Sequence, residues 1–218
     1  MIPGLLLRLA GLALLAGVAG CAARQQPNAD PAVVAAVAYH DPGPSTLTLY
    51  TMINNRTGSG AHTSLMINAS ERVIFDPAGS FKADVVPERN DVLFGITPGV
   101  ELAYRGSHAR STFHVLIQEI EVTPEQAEVA YRLALGNGPV AGAYCTSATS
   151  KILRQIPGFE NINTVLFPTK LARQFEEISG VRSNRYYEND SADLKDGLAR
   201  NNEILNARSN ARSNAQIE

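Results

Sequence analysis

Three side chains carry the chemistry legible in this chain: Cys145, His62 and Asp76. A cysteine attacks as its thiolate, and a helix N-terminus favours that form through free backbone N–H groups and the positive end of the helix dipole. Cys145 stands where such a helix should begin, because residues 146–156 have helical length and stop before Pro157-Gly158. The same N–H groups can hold a developing oxyanion, and losing one such donor costs a hydrolase roughly 3 to 4 kcal/mol of transition-state stabilisation. A hairpin nominates the base. Residues 62–67 and 72–75 read as consecutive strands, and a loop of Asn68-Ala69-Ser70 pairs Ile67 with Glu71 and sets His62 opposite Asp76 on one face. Their Cβ atoms would then lie about 4.5 to 5.5 Å apart. An aspartate that accepts from one imidazole nitrogen leaves the other to address a thiol. A four-residue loop would shift the pairing by one and turn Asp76 to the opposite face.

Blander readings stand beside these. Cys145 also fits a packed small hydrophobe, and Asp76 before Pro77 also fits an Asx-turn. His108, in a loop on this reading, is the alternative base if the hairpin register fails. His114 sits within an apolar strand and reads as structural.

The elements that position these residues imply an α+β fold in which an antiparallel sheet packs against helices. Thr-Leu-Thr-Leu-Tyr from Thr46 alternates with period two, and the turn-rich residues 54–60 separate it from the hairpin, so three strands form a meander. Asp76-Pro77-Ala78-Gly79 stops the third, because proline cannot donate to a ladder. A long loop runs through Gly106, and residues 113–122 form a further strand. Thr123-Pro124-Glu125-Gln126 is a capping-box start for a helix that ends at Gly136-Asn137-Gly138-Pro139. Another helix, 169–178, follows Pro168. The tail, residues 191–218, repeats Asn-Ala-Arg-Ser with little apolar content and is expected to be disordered.

Arg8 and the apolar residues 9–18 read as a signal segment, residues 1–20, too short to span a bilayer. Val18-Ala19-Gly20-Cys21 resembles the lipobox of bacterial lipoproteins. That resemblance implies cleavage before Cys21, acylation of Cys21 and anchorage in a lipid bilayer. It places the chain in the bacterial cell envelope and, with Ala22 following the cysteine, at the periplasmic face of the outer membrane. It also leaves Cys145 without a disulfide partner. Residues 21–45, rich in Ala, Pro, Gln and Asn, are expected to be a tether, and 46–190 a single domain. The net charge of −2 and the absence of a clustered basic face exclude a nucleic-acid footprint. Four scattered histidines lack metal-site spacing, so neither a metal nor another cofactor is expected.

The run His62-Thr63-Ser64-Leu65-Met66-Ile67, then Asp76, then much later Tyr144-Cys145-Thr146-Ser147, resembles the circularly permuted papain-like branch of the NlpC-type amidases, including YiiX-like hydrolases. In that branch the histidine precedes the cysteine. The resemblance covers roughly residues 46–178 and implies a permuted papain-like domain. Cys145 would be the nucleophile, His62 the base and Asp76 the orienter, with Tyr144 and Thr146 lining the oxyanion pocket. The implied activity is hydrolysis of amide or ester bonds through an acyl-enzyme, with peptidoglycan peptides or acyl lipids as substrates. Thr63-Ser64 stands where the family more often has Val-Gly, and Thr146-Ser147 where Ser-Glu is frequent. These departures speak for a second expectation, a binding or scaffolding lipoprotein that keeps the fold without turnover.

Overall fold

Alternating apolar residues and turn signals build the first three strands in order: β1 (Thr46–Asn54), β2 (Gly60–Asn68) and β3 (Arg72–Phe75). They form the antiparallel meander that the sequence pattern implies. The computed structural model describes residues 27–215, so the signal segment and Cys21 lie outside the described residues. Two short strands, β4 (Glu88–Arg89) and β5 (Val92–Leu93), extend one side of the sheet. β6 (Phe113–Glu121) returns beside β1, and β7 (Arg182–Tyr186) lies outside it. The result is a seven-stranded antiparallel sheet in the order β4-β5-β3-β2-β1-β6-β7.

Helices cover both faces, which makes the chain an α+β protein with the sheet as its middle layer. Leu47, Leu49, Leu65, Ile67 and Phe75 point to the first face. There they pack against α3 (Pro124–Gly136), α4 (Cys145–Leu153) and α5 (Pro168–Glu176). The intervening residues Tyr50, Met52, Met66 and Ile74 point to the second. That face is covered by α2 (Pro98–His108) and α6 (Leu194–Ala215). Burying one such apolar side chain contributes about 1.5 to 3 kcal/mol, so the two cores hold the three layers together. The α3 start matches its sequence signature: Thr123 accepts from Gln126 N, and the Gln126 side chain accepts from Thr123 N.

Four expectations need correction. The hairpin loop is Ala69-Ser70-Glu71, closed by Asn68 opposite Arg72, so Ile67 faces Val73 rather than Glu71. Continued outward, that pairing would set His62 opposite Ala78. A slip of two residues preserves the side-chain face, so His62 and Asp76 still share one and are diagonal rather than opposite neighbours.

The region assigned to a loop before Gly106 contains α2, begun by Thr97, whose side chain accepts from Val100 N, with Pro98 in the first turn.

Residues 27–44 are no free tether. Ala29 N donates to Glu88 O, Arg72 N donates to Tyr39 O, and a short helix, α1 (Pro31–Ala36), is capped by Asp30.

The tail is the helix α6 through Ala215 and not disordered. Buried Leu205, a bond from Asn201 Nδ2 to Ser107 Oγ and bonds from Asn202 and Asn206 to Asp84 dock it. Tertiary contacts thus supply what its composition lacks.

Candidate active site

The site forms where β3 gives out. β3 ends at Phe75 opposite Leu65, and Pro77 has no N–H to prolong it, so β2 from Gly60 to Ser64 has no β3 partner. Asp76 N turns instead to Asp91 O, 2.8 Å away. A bulge lies in the same stretch: Met52 pairs with His62 and Ile53 with Gly60, leaving Ala61 extra, and bulges commonly re-aim side chains beside sites. Through this notch, groups from the two faces of the sheet meet. α4 brings Cys145 and Thr146 from the first face, and α2 brings Tyr104 and His108 from the second.

His62 Nε2 lies 2.7 Å from Asp76 Oδ1. With Nε2 taken, Nδ1 is the nitrogen left for the sulfur, and both His62 and the Thr63 backbone favour the thiolate of Cys145. Thr146 Oγ1 lies 3.8 Å from the sulfur and donates to Thr63 Oγ1 at 3.4 Å. Asp76, only 3 % exposed, also accepts from the Tyr104 hydroxyl at 2.7 Å. Having one proton to give, Tyr104 accepts in turn from Ser64 Oγ, also 2.7 Å away. The hydrogen-bonded chain runs Ser64, Tyr104, Asp76, His62, and the imidazole at its end acts on the Cys145 thiol.

Burial pushes the Cys145 thiol up, but the hydrogen bond and charge of His62, with help from Thr146 and Thr63, bring it down to about 7. Burial likewise disfavours the charged imidazole, yet the Asp76 carboxylate and the Cys145 sulfur raise His62 to about 10. Burial raises the Asp76 carboxyl while His62, by charge and hydrogen bond, lowers it more, for a net shift down. Between pH of about 7 and 10 the pair is therefore thiolate and imidazolium. His108 is the opposite case: burial outweighs the Asp76 charge and pushes it down to about 4. It stacks on His62 with centroids 6.0 Å apart, but His62 is the histidine that acts on the thiol, so the alternative base is not the one placed for the task. His114 is held by Asn55 at 2.8 Å and stacks on Tyr187, a structural setting.

Cys145 is the first residue of α4, and no side chain caps that end. The first ladder bond onto the cap residue is from Ala148 N to Tyr144 O, so the N–H groups of residues 145–147 have no intrahelical acceptor and can receive an oxyanion. Of the two flanking residues, Thr146 is fully buried beside the sulfur, whereas Tyr144 contributes the turn backbone and its side chain is 55 % exposed. Among the described residues, no group of three or more His, Cys, Asp or Glu is placed to hold a metal ion.

Two site residues have no place in the sequence reading. Tyr104 sits on α2, whose Thr97-Pro98 start is the same signal that marks α3. Asp91 Oδ2 accepts from Ala78 N at 3.0 Å and Val140 N at 2.7 Å, tying the loop after Asp76 to the segment that leads to Cys145. Ala78, Asn90, Asp91 and Ala143 are the four non-glycine residues with positive φ among those described. Ala78 and Ala143 lie on the two segments that Asp91 ties together, and Asn90 and Asp91 form the turn between β4 and β5; backbone strain commonly collects around sites.

Gly79 offers a test of space alone, since its φ is not in the left-handed region. A Cβ there would fall 1.8 Å from Asp76 Oδ2. Gly79→Ala must therefore displace the carboxylate from His62, and the thiol should lose acidity while the fold survives. The expected result is a rise of about one unit in the pH midpoint of Cys145 alkylation with native circular dichroism; an unmoved midpoint refutes the coupling of Asp76 to the sulfur.

No family model, curated protein or solved structure matched this chain.

Proposed function

We propose that this protein is a thiol hydrolase that cleaves an amide or ester bond through an acyl-enzyme on Cys145. In this reading the domain is papain-like in permuted order and belongs to a lipid-anchored envelope protein. The observation that carries it is the placement of one imidazole between a buried carboxylate and a thiol at an uncapped helix start.

The chemistry follows from that placement. The Cys145 thiolate adds to the carbonyl carbon, and the C–O π pair moves onto oxygen, where the N–H groups at the α4 start receive it. The tetrahedral adduct collapses, the bond to the leaving nitrogen or oxygen breaks, and His62 Nδ1–H gives its proton to the leaving group. Water then attacks the thioester, losing a proton to His62, and the acid product departs as the thiolate is restored. Asp76 holds the ring throughout, and Tyr104 holds Asp76.

Acylation of Cys21 would anchor the chain in the outer membrane at its periplasmic face. From Cys21 to Pro27 the chain can extend at most about 22 Å. The folded body then sits close to the bilayer, which suits acyl lipids or the peptidoglycan peptides beneath the membrane as substrates. No helix among the described residues is long and apolar enough to cross a membrane. The second reading, a binding lipoprotein without turnover, draws on the 8 % exposure of Cys145.

Alkylation by iodoacetamide across pH separates the two. A hydrolase of this design shows a labelling midpoint near pH 7 and hydrolysis of amide or ester probes that is bell-shaped between about pH 7 and 10. A midpoint at the ordinary thiol value of about 8.5, or no labelling, removes the enzyme reading.

A further inference from the structure

We propose that α1 and the groove beside it form a surface that rests on an anionic lipid bilayer. Arg208 and Arg212 receive lipid phosphates there, and the outward side chains of α1 enter the apolar layer beneath. The inference rests on the lipid-anchored part of the reading above and not on the hydrolase. Residues 31–38 read Pro-Ala-Val-Val-Ala-Ala-Val-Ala, without one polar side chain, yet α1 has no buried residue. Val34 and the following Val37 pack against the core. Pro31, Ala32, Val33, Ala35 and Ala36 are exposed, Val33 by 51 %. Contiguous apolar surface of this kind marks a place of contact.

The groove supplies the cations. It holds about 490 Å³ and is lined by Ala36 and Val37, by Thr97 and Gly99 at the start of α2, and by Arg208 and Arg212 of α6. At roughly 30 Å³ per water, that is space for about sixteen waters, so a phosphate headgroup fits. Among the described residues no Asp or Glu lines the groove, and neither arginine has an ion-pair partner. Arg208 lies over the first turn of α2, its Nη1 3.0 Å from where a Cβ on Gly99 would stand. One guanidinium thus sits at the positive end of that helix and a second lines the same groove, an arrangement that an anion relieves. A bilayer matches both features at once, with phosphates at one depth and hydrocarbon just below, as for an apolar helix flanked by cations in a membrane interface. It is also within reach, since from an acylated Cys21 to Pro31 the chain extends at most about 36 Å. The docked end is not the end where the site opens. Tyr39, just past α1, accepts from Arg72 at the hairpin end of β3, whereas His62 lies six residues along β2 from Asn68, about 20 Å away.

The test uses the full chain in a Cys145→Ala background, with an environment-sensitive fluorophore on Val33→Cys. The distant control carries it on Arg56→Cys, in the turn at the other end of β1 and β2, and a preparation with neither substitution gives the blank. Vesicles of phosphatidylcholine mixed with phosphatidylglycerol carry a nitroxide-labelled lipid as quencher. Quenching is expected at position 33 and not at position 56. Arg208→Gln and Arg212→Gln should each lower the docked-to-free ratio about fivefold, the worth of one cation near an anionic surface. Vesicles of phosphatidylcholine alone should quench less, and the substitutions should leave that residue of quenching unchanged. Raising salt from about 0.1 to 1 M, which shortens the screening length from about 10 to 3 Å, should do to the unaltered chain what the substitutions do. Equal quenching at both positions, none at 33, or quenching at 33 that ignores salt, lipid charge and both substitutions overturns the proposal. So does a fluorophore at 33 that is already shielded in solution by a second copy of the chain, read as a doubled mass before vesicles are added. The mass of the denatured chain from the same preparation reports acylation of Cys21. An acylated chain without quenching at 33 sinks the docking surface alone, and quenching at 33 without acylation sinks the anchor alone.

Discussion

His62→Ala is expected to lower kcat/KM for an amide or ester probe by about 10³-fold or more, while slowing iodoacetamide labelling of Cys145 at pH 7 by only about fivefold. The two numbers differ because they measure different losses. With the thiol at about 7, half of it is ionised at pH 7. At the ordinary value of about 8.5 the ionised fraction is about 3 %, and the burial of Cys145, no longer opposed by His62, holds it there or lower. A less acidic thiolate is intrinsically more nucleophilic, which offsets part of that loss in simple alkylation. Turnover has no such offset, since it also loses the proton donor for the leaving group, a contribution of about 10² to 10⁴. Cys145→Ala should abolish both readouts. Removing the imidazole leaves Asp76 buried with only Tyr104, so His62→Gln, which can still donate to that carboxylate, is the control for folding. Equal losses in labelling and turnover would mean that His62 only tunes the thiol and moves no proton.

How much of this was legible beforehand depends on which signals are local. The start of α4 at Cys145 follows from a helical run stopped by Pro157-Gly158, and α3 follows from Thr123 and Gln126, which bond each other across three residues. The shared face of His62 and Asp76 was legible for a different reason. The hairpin loop lies one residue later than expected, which slips the pairing by two residues, and side-chain direction repeats every two. A slip of one would have dissolved the site on paper.

What escaped needs distant partners. α6 carries few apolar residues, and the bonds that hold it reach Ser107 and Asp84, roughly a hundred residues earlier in the chain. Residues 27–44 look like a linker because their anchors, Glu88 and Arg72, lie elsewhere. β7, Arg182–Tyr186, is largely exposed at the sheet edge and shows no apolar alternation to read. α2 is different, since Thr97-Pro98 carries the same cap and first-turn proline as α3. The glycines at 95, 99 and 106 obscure it, and with it the placement of Tyr104 and His108.

Asp76→Asn is expected to cost about 10² to 10⁴ in kcat/KM with little change in shape, because it removes charge and almost nothing else. His62 Nε2 and the Tyr104 hydroxyl both address Oδ1, so an amide oxygen in that place keeps both acceptor contacts and the amide nitrogen replaces Oδ2. The carboxylate is the main influence that holds a buried His62 protonated. Without it, burial drives the ring neutral, the thiol loses its cationic partner and the labelling midpoint rises. The effect on stability has a definite sign at each end of the pH scale. Asp76 is lowered in the folded chain, so its contribution is present above the unfolded value of about 3.9 and is lost as pH falls through the lower folded one. His62 is raised, so its contribution is complete below about 6.5 and is lost as pH rises through about 10. The stability gap between the parent chain and Asp76→Asn should therefore be widest between about pH 4 and 6.5 and close toward pH 10, as urea unfolding at pH 5.5, 8 and 10 would read. A gap that stays constant from pH 5.5 to 10 would show that the carboxylate does not sustain the charge on His62, and the thiolate would then need another source of acidity.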